Sequence, residues 1–254
     1  MPRRRGVCVL TLRAVAATAL RVFAQLRRDP RTVLLLIVVP CVLVTLLKYL
    51  FVDRPFVFDR IGGPLLGLFP FIAMFLVSSI TMLRERMTGT LERLMTLPLA
   101  KLDLLAGYGT AFATVAAAQA GIVSAVAFGL LDLHVEGSPW LVGVLAVGNA
   151  ILGMSLGLFL SAFARTEFQA VQFMPAFVFP QLLLCGLFVP RDEMARLLEL
   201  AAYALPLTYS YDALDRVTRR GELGAIGAGD VAVTLGVTLL ALALGAATLR
   251  RRTN

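Results

Sequence analysis

The sequence predicts an all-α, polytopic membrane protein with six transmembrane helices, and three observations carry that reading. The 254 residues are 59% hydrophobic and only 16% charged, whereas soluble domains carry about 25% charged and 45–50% apolar residues. The charges are also segregated: the stretches 33–51, 63–83, 104–131, 140–163, 168–189 and 231–249 contain a single charged residue, Lys48. Each stretch is long enough to cross a hydrocarbon core of roughly 30 Å, which takes about 20 helical residues. A transmembrane barrel would instead show period-two alternation in segments of about ten residues, and none is present.

Residues 1–32 come first as a cytoplasmic amphipathic helix. Val15, Ala19, Val22 and Leu26 recur on one face, while Arg13, Arg21, Arg27, Arg28 and Arg31 fall on the other. That pattern suits a helix lying in the membrane interface, anchored by headgroup attraction of about 1 kcal/mol per Arg. The same arginines interrupt any apolar core of a cleavable signal. The first span contains Pro40, and its Lys48 lies close enough to the outer end to snorkel. The second span carries Pro64 and Pro70, and the fifth carries Pro175 and Pro180 with Gln169, Gln172 and Gln181. Prolines free backbone carbonyls that neighbouring helices or cavity water must satisfy. These two spans are therefore expected either to bend around a pathway or to kink for packing alone. The third and fourth spans carry small residues every fourth position, namely Ala117, Gly121, Ala125 and Gly129, then Asn149, Gly153, Gly157 and Ser161. Both stripes predict close helix packing.

Between the second and third spans, residues 84–99 read as a short cytoplasmic surface helix stopped by Pro98. Met87, Leu91, Leu94 and Met95 make its apolar face, and Glu85, Arg86, Gly89, Glu92 and Arg93 its polar one. In the external segment 190–230, Met194, Leu197, Leu198, Ala201 and Ala202 form an apolar face, and Pro206 breaks the run.

Charge sets the orientation. With the N-terminus inside, the inside segments hold 16 of the 24 Lys and Arg and 5 of the 16 acids. An excess of Lys and Arg marks cytoplasmic loops, so both termini are expected in the cytoplasm. The +8 net charge then needs no nucleic-acid partner. Three cysteines without a C-x-x-C pair and one histidine, His134, imply neither a disulfide framework nor a metal site. A P-loop needs Gly-Lys-Ser/Thr, yet the lysines, Lys48 and Lys101, are followed by Tyr49 and Leu102. No catalytic residue or nucleotide cradle is expected in this chain. An intramembrane enzyme or a proton-coupled carrier would place acids within the spans, and none is there.

Two motifs add a resemblance. After the second span stand Arg84-Glu85-Arg86, Gly89-Thr90-Leu91-Glu92, Leu94 and Pro98-Leu99. After the fifth stand Cys185-Gly186-Leu187-Phe188-Val189-Pro190, Met194, Leu205-Pro206-Leu207-Thr208-Tyr209 and Asp212-Ala213-Leu214 with Arg216. With six spans, the chain resembles the permease subunits of type-2 ABC exporters, which include bacterial drug, polysaccharide and lipid export permeases. It departs where many members place a Lys after the Gly near the start of the third span, since Gly107 is followed here by Tyr108.

The resemblance implies one permease domain over 1–254 in the bacterial inner membrane, paired with a separate ATPase subunit that binds ATP and magnesium. It also implies a second permease chain, identical or paralogous, and an external pair of short helices that dips into the outer leaflet. Arg84, Glu85, Arg86, Gly89, Thr90, Glu92 and Arg93 would then couple to the ATPase. Phe69, Phe71, Met74 and Phe75 of the second span and Gln172, Phe173 and Phe177 of the fifth are candidates to line the translocation path of a hydrophobic drug or lipid-like substrate. A polysaccharide or lipid-linked glycan permease and a non-transporting scaffold are the alternatives.

Overall fold

The computed structural model describes residues 12–90 and 101–248. Within them the chain forms helices α1 (Leu12–Arg28), α2 (Pro30–Leu50), α3 (Pro55–Met87), α4 (Lys101–Gly129), α5 (Pro139–Leu160), α6 (Glu167–Phe173), α7 (Phe179–Leu184), α8 (Arg196–Tyr203), α9 (Pro206–Arg220) and α10 (Gly224–Thr248). A π-helical turn, Met174–Val178, joins α6 to α7, and a 3₁₀ turn, Arg191–Glu193, precedes α8. The helices start where local chemistry satisfies their free N–H groups. Asp29 caps α2, accepting from Thr32 N at 3.2 Å and Thr32 Oγ1 at 2.6 Å, with Pro30 preset for the first turn. Thr166 caps α6 in the same way, accepting from Gln169 N at 3.2 Å.

Among the described residues, five helices are long and apolar enough to cross a membrane: Pro30–Leu50, Pro55–Met87, Ala106–Gly129, Pro139–Leu160 and Gly224–Thr248. They match five of the six spans expected from hydropathy. The remaining one, 168–189, differs from a continuous helix. Pro175 and Pro180 cannot donate to the preceding turn, the register slips to the π turn at Met174–Val178, and helix ends at Leu184. Gly186 then turns the chain with φ +105°. The all-helical expectation therefore stands, while the expected fifth span, 168–189, is a broken helix rather than one uninterrupted crossing.

At the centre α3 lies against α5, as the fourth-span stripe predicts. A Cβ at Gly153 would collide with the Phe71 carbonyl, and one at Gly157 with the Phe75 carbonyl. Ser78 Oγ donates to Met154 O across the seam at 3.0 Å. The third-span stripe behaves differently: Ala117, Gly121, Ala125 and Gly129 are exposed, and α4 packs inward through Ala111, Ala116, Ala120 and Ala127 instead. Of the external segment, α9 is largely buried and lies along α3, where a Cβ at Gly63 would strike Thr218 and one at Gly67 would strike Leu214. Lys48 stays at its helix end with Nζ 4.9 Å from the centre of the Phe58 ring, a cation–π contact that accompanies the expected snorkelling position.

Candidate functional site

At about 1.5 Å per residue, the 33-residue α3 runs from one end of the bundle to the other, and its Met87 end gathers the polar residues that the sequence singles out. The helix stops at Thr88, whose Oγ1 donates to Arg84 O at 2.9 Å, and Gly89 turns the chain with φ +69°. A left-handed residue just past the last helical turn is how helices commonly end, and glycine adopts it without a Cβ penalty. Helical backbone resumes at Thr90, whose hydroxyl lies 2.9 Å from that of Thr88. Arg84, Glu85 and Arg86 thus form the last turn of α3 and do not begin a separate surface helix. Glu92, Arg93 and the rest of the expected helix up to residue 99 lie outside the described residues.

The three charges at this end are engaged within the chain. Arg84 donates from Nε and Nη2 to Glu167 Oε1 and Oε2 at 2.7 and 3.0 Å, a two-pronged bridge between α3 and α6. These bonds hold the Glu167 carboxyl below its usual value. Glu85, expected on the polar outer face, is instead 5% exposed. Its Oε2 accepts from Arg21 Nη1 at 3.3 Å and its Oε1 from Gln25 Nε2 at 2.7 Å, both on α1. Arg21 also donates from Nη2 to the Tyr108 hydroxyl, and its guanidinium stands 5.5 Å from the centre of that ring. Arg86, half-buried, reaches Thr248 Oγ1 on α10 at 3.5 Å. A buried carboxylate must be paired to be tolerated, which explains why Glu85 turns inward toward Arg21. Within the chain these residues knit α3 to α1, α6 and α10: Glu85 is buried rather than on the expected outer face, while the Arg84 side chain remains 57% exposed.

α1 itself is more than an interfacial float. Thr18 and Val22 are buried, and Thr18 packs so closely on Gly107 that no Cβ would fit there. The Gly107-Tyr108 pair, which departs from the Gly-Lys of many type-2 permeases, provides this contact and a hydroxyl for Arg21 at once. A cleft of about 370 Å³ opens beside the network, lined by Gln25, Asp29, Thr32, Arg84, Glu85 and Thr88 among others. The sequence did not identify Arg21, Gln25, Tyr108 or Glu167 as partners. Tyr108, a polar residue near the start of an apolar run, and Glu167, the one acid in the short 164–167 connector, were the available signals.

Of the residues expected along a path, all but Gln172 lie in or against the core. Phe71, Met74 and Phe75 are fully buried, Phe69, Phe173 and Phe177 are half-buried, and Gln172 is exposed. Phe75 stacks on Phe177 with ring centres 6.5 Å apart and planes 11° apart, and Phe71 and Phe75 pack in one cluster with Val178, Leu207 and Tyr211. Within one chain these aromatics fill space between α3, the π turn and α9. Among the described residues no group of three His, Cys, Asp or Glu could hold a metal ion.

A family profile described as ABC-2 type transporter matches residues 13–217. The chain is 24% identical over 163 residues to ABC transporter G family member 20 of Dictyostelium discoideum, a match covering 64% of this chain and 22% of that protein. It is 29% identical over 151 residues to the probable multidrug ABC transporter permease YbhR of Escherichia coli strain K12, covering 58% of this chain and 40% of that one. These matches therefore extend over less than half the length of either relative. With the profile running from α1 into α9, the chain belongs to the ABC-2 type transporter family.

Proposed function

We propose that this chain is the membrane permease of an ATP-driven exporter in the bacterial inner membrane, powered by a separate ATPase subunit and working as a pair of permease chains. The observation that carries the reading is the Met87 end of α3. A single helix runs the depth of the bundle, its last turn is tied by Glu85 and Arg84 to α1 and α6, and the Gly89 turn links it to the polar stretch that follows. A push on that stretch would move α3 together with α1 and α6, and through the Phe75–Phe177 stack would reach the π turn. Gly89, Thr90, Glu92 and Arg93 make the contact with the ATPase, while Arg84, Glu85 and Arg86 transmit the motion inside the permease. ATP and magnesium reside on the partner.

The substrate is hydrophobic, drug-like or lipid-like, and crosses between the two chains beside the exposed Gln172 and Phe179 of the broken helix. The name of the YbhR relative, a probable multidrug permease, supports the drug-like member of that class. Co-reconstitution with the cognate ATPase in vesicles tests the reading. Glu92→Lys is expected to abolish substrate-stimulated ATP hydrolysis while the chain still inserts. Stimulation at the unmodified level would refute the coupling assignment.

A further inference from the structure

The Pro55 end of α3, opposite the Gly89 turn, carries a second cleft, of about 510 Å³. Of the seven basic side chains assigned to outside segments, five line it: Arg60, Arg191, Arg216, Arg219 and Arg220. The remaining two, Arg54 and Arg196, do not. Such convergence is unexpected on a face whose loops are acidic in sum, and it calls for a ligand or for internal pairing. Pairing accounts for only part of it. Arg191 contacts Asp212 at 2.6 Å, Arg219 contacts Asp215 at 3.3 Å and Arg216 lies 3.5 Å from Asp230. Arg60 and Arg220 are exposed and make no ion pair among the described residues, and Asp192 and Glu199 in the same cleft make none either. Arg191 Nη1 and Arg216 Nε are buried without a hydrogen-bond acceptor among the described residues. A guanidinium N–H left so is costly, and although Arg216 Nε faces Asp230 at long range, the internal pairing in this cleft stays incomplete.

The uncommitted charges are thus two cations and two anions around one opening, and the remaining wall is aromatic and apolar. Phe56 and Phe188 are largely exposed, and Tyr203 and Leu187 stand beside them. Tyrosine, apolar along its ring and polar at its hydroxyl, suits the membrane–water boundary. A soluble anion would use the arginines and leave Asp192, Glu199 and the aromatic wall idle. A purely apolar molecule would leave all four charges idle. We infer that this cleft binds the headgroup of a zwitterionic phospholipid, with its phosphate on the Arg60 and Arg220 side and its ammonium toward Asp192 and Glu199. Arginine is suited to phosphate because its planar fork can donate two parallel bonds. The acyl chains lie on Phe56 and Phe188. The site does not depend on transport or on any ATPase, so it stands or falls independently of the exporter reading.

Native mass spectrometry of the detergent-purified chain tests it, with phosphatidylethanolamine, phosphatidylglycerol and diacylglycerol added in turn. Phosphatidylethanolamine should be retained best, and the double variant R60Q/R220Q should lower its retention at least fivefold. The control R54Q/R196Q, which changes the outside arginines that do not line the cleft, should leave retention unchanged. Displacement of bound phosphatidylethanolamine by millimolar O-phosphoethanolamine would support the same headgroup chemistry drawn from solution. Equal retention of diacylglycerol, or equal losses in the two double variants, would overturn the site. Equal retention of phosphatidylglycerol would overturn its zwitterionic assignment. Circular dichroism of R60Q/R220Q excludes misfolding as the cause of any loss, since both substituted side chains are exposed.

Discussion

Proline at position 40 lacks the N–H that would bond the Leu36 carbonyl one turn earlier, and Gln119 of α4 fills that place, its Nε2 donating to Leu36 O at 2.8 Å. A proline in an apolar span announces that some neighbour must supply a donor, but not which one, because the donor lies 83 residues away. Gln119→Leu should therefore cost about 1 kcal/mol, within the range of interhelical hydrogen bonds in membrane proteins. Thermal unfolding in detergent would show a lowered midpoint. The change should be largely relieved in Pro40→Ala/Gln119→Leu, where the backbone N–H restored at position 40 can reach the same carbonyl. Additive losses in the double variant would contradict this role. Glu85 shows the same limit in a charged group. Its place on the polar face of a helix drawn over 84–99 follows from spacing, but its burial comes from Arg21 and Gln25, 64 and 60 residues distant.

At the scale of elements, two stripes with identical four-residue spacing have different fates. Spacing fixes which residues share a helix face and is silent about what covers that face. A Cβ at Gly153 would meet the Phe71 backbone, which cannot swing aside, whereas one at Gly121 meets nothing within 4 Å. Gly153→Ala should consequently destabilise the α3–α5 seam by about 1–3 kcal/mol, the usual range for overpacking. Gly121→Ala should leave the monomer unchanged or slightly steadier, as expected for replacing an exposed helical glycine. Unfolding midpoints of the two variants in one detergent would separate these outcomes. The bridge between α3 and α6 adds a pH dependence. Because the Glu167 carboxyl titrates below its usual value when bonded to Arg84, the bridge contributes fully above the ordinary carboxylate range. That contribution is lost as pH falls through the lowered value. Glu167→Gln should leave stability at strongly acidic pH unchanged and lower it at neutral pH, so that the acid limb is flatter, and the drop should be small because both partners are about half exposed and screened. The broken fifth stretch, 168–189, belongs at this scale too: Pro175 and Pro180 signal a bend, but the π turn depends on how the freed carbonyls are reshared.

For the molecule as a whole, the strongest sequence signals are the ones that need no partner. Uninterrupted apolar runs locate five spans to within a few residues at most of their ends, because in lipid only a helix can satisfy its own backbone. Orientation is the other whole-molecule property, and it rests on the excess of Lys and Arg in alternate connectors. The two clefts lie at opposite ends of α3, so orientation decides which of them faces the cytoplasm. With cytoplasmic termini, the Gly89 turn and the Arg84–Glu167 bridge face the ATP-containing compartment, and the cleft of Arg60 and Arg220 faces outward. Cysteine labelling in intact cells can test this on a background in which Cys8, Cys41 and Cys185 are replaced. Asp53→Cys, in the exposed turn between α2 and α3, should react with an impermeant maleimide added outside. Arg165→Cys, in the exposed connector before α6, should react only after the membrane is opened. The reverse pattern would put the Gly89 turn outside, away from any cytoplasmic ATPase, and would refute the exporter reading while leaving the helical packing and the headgroup chemistry of the cleft intact.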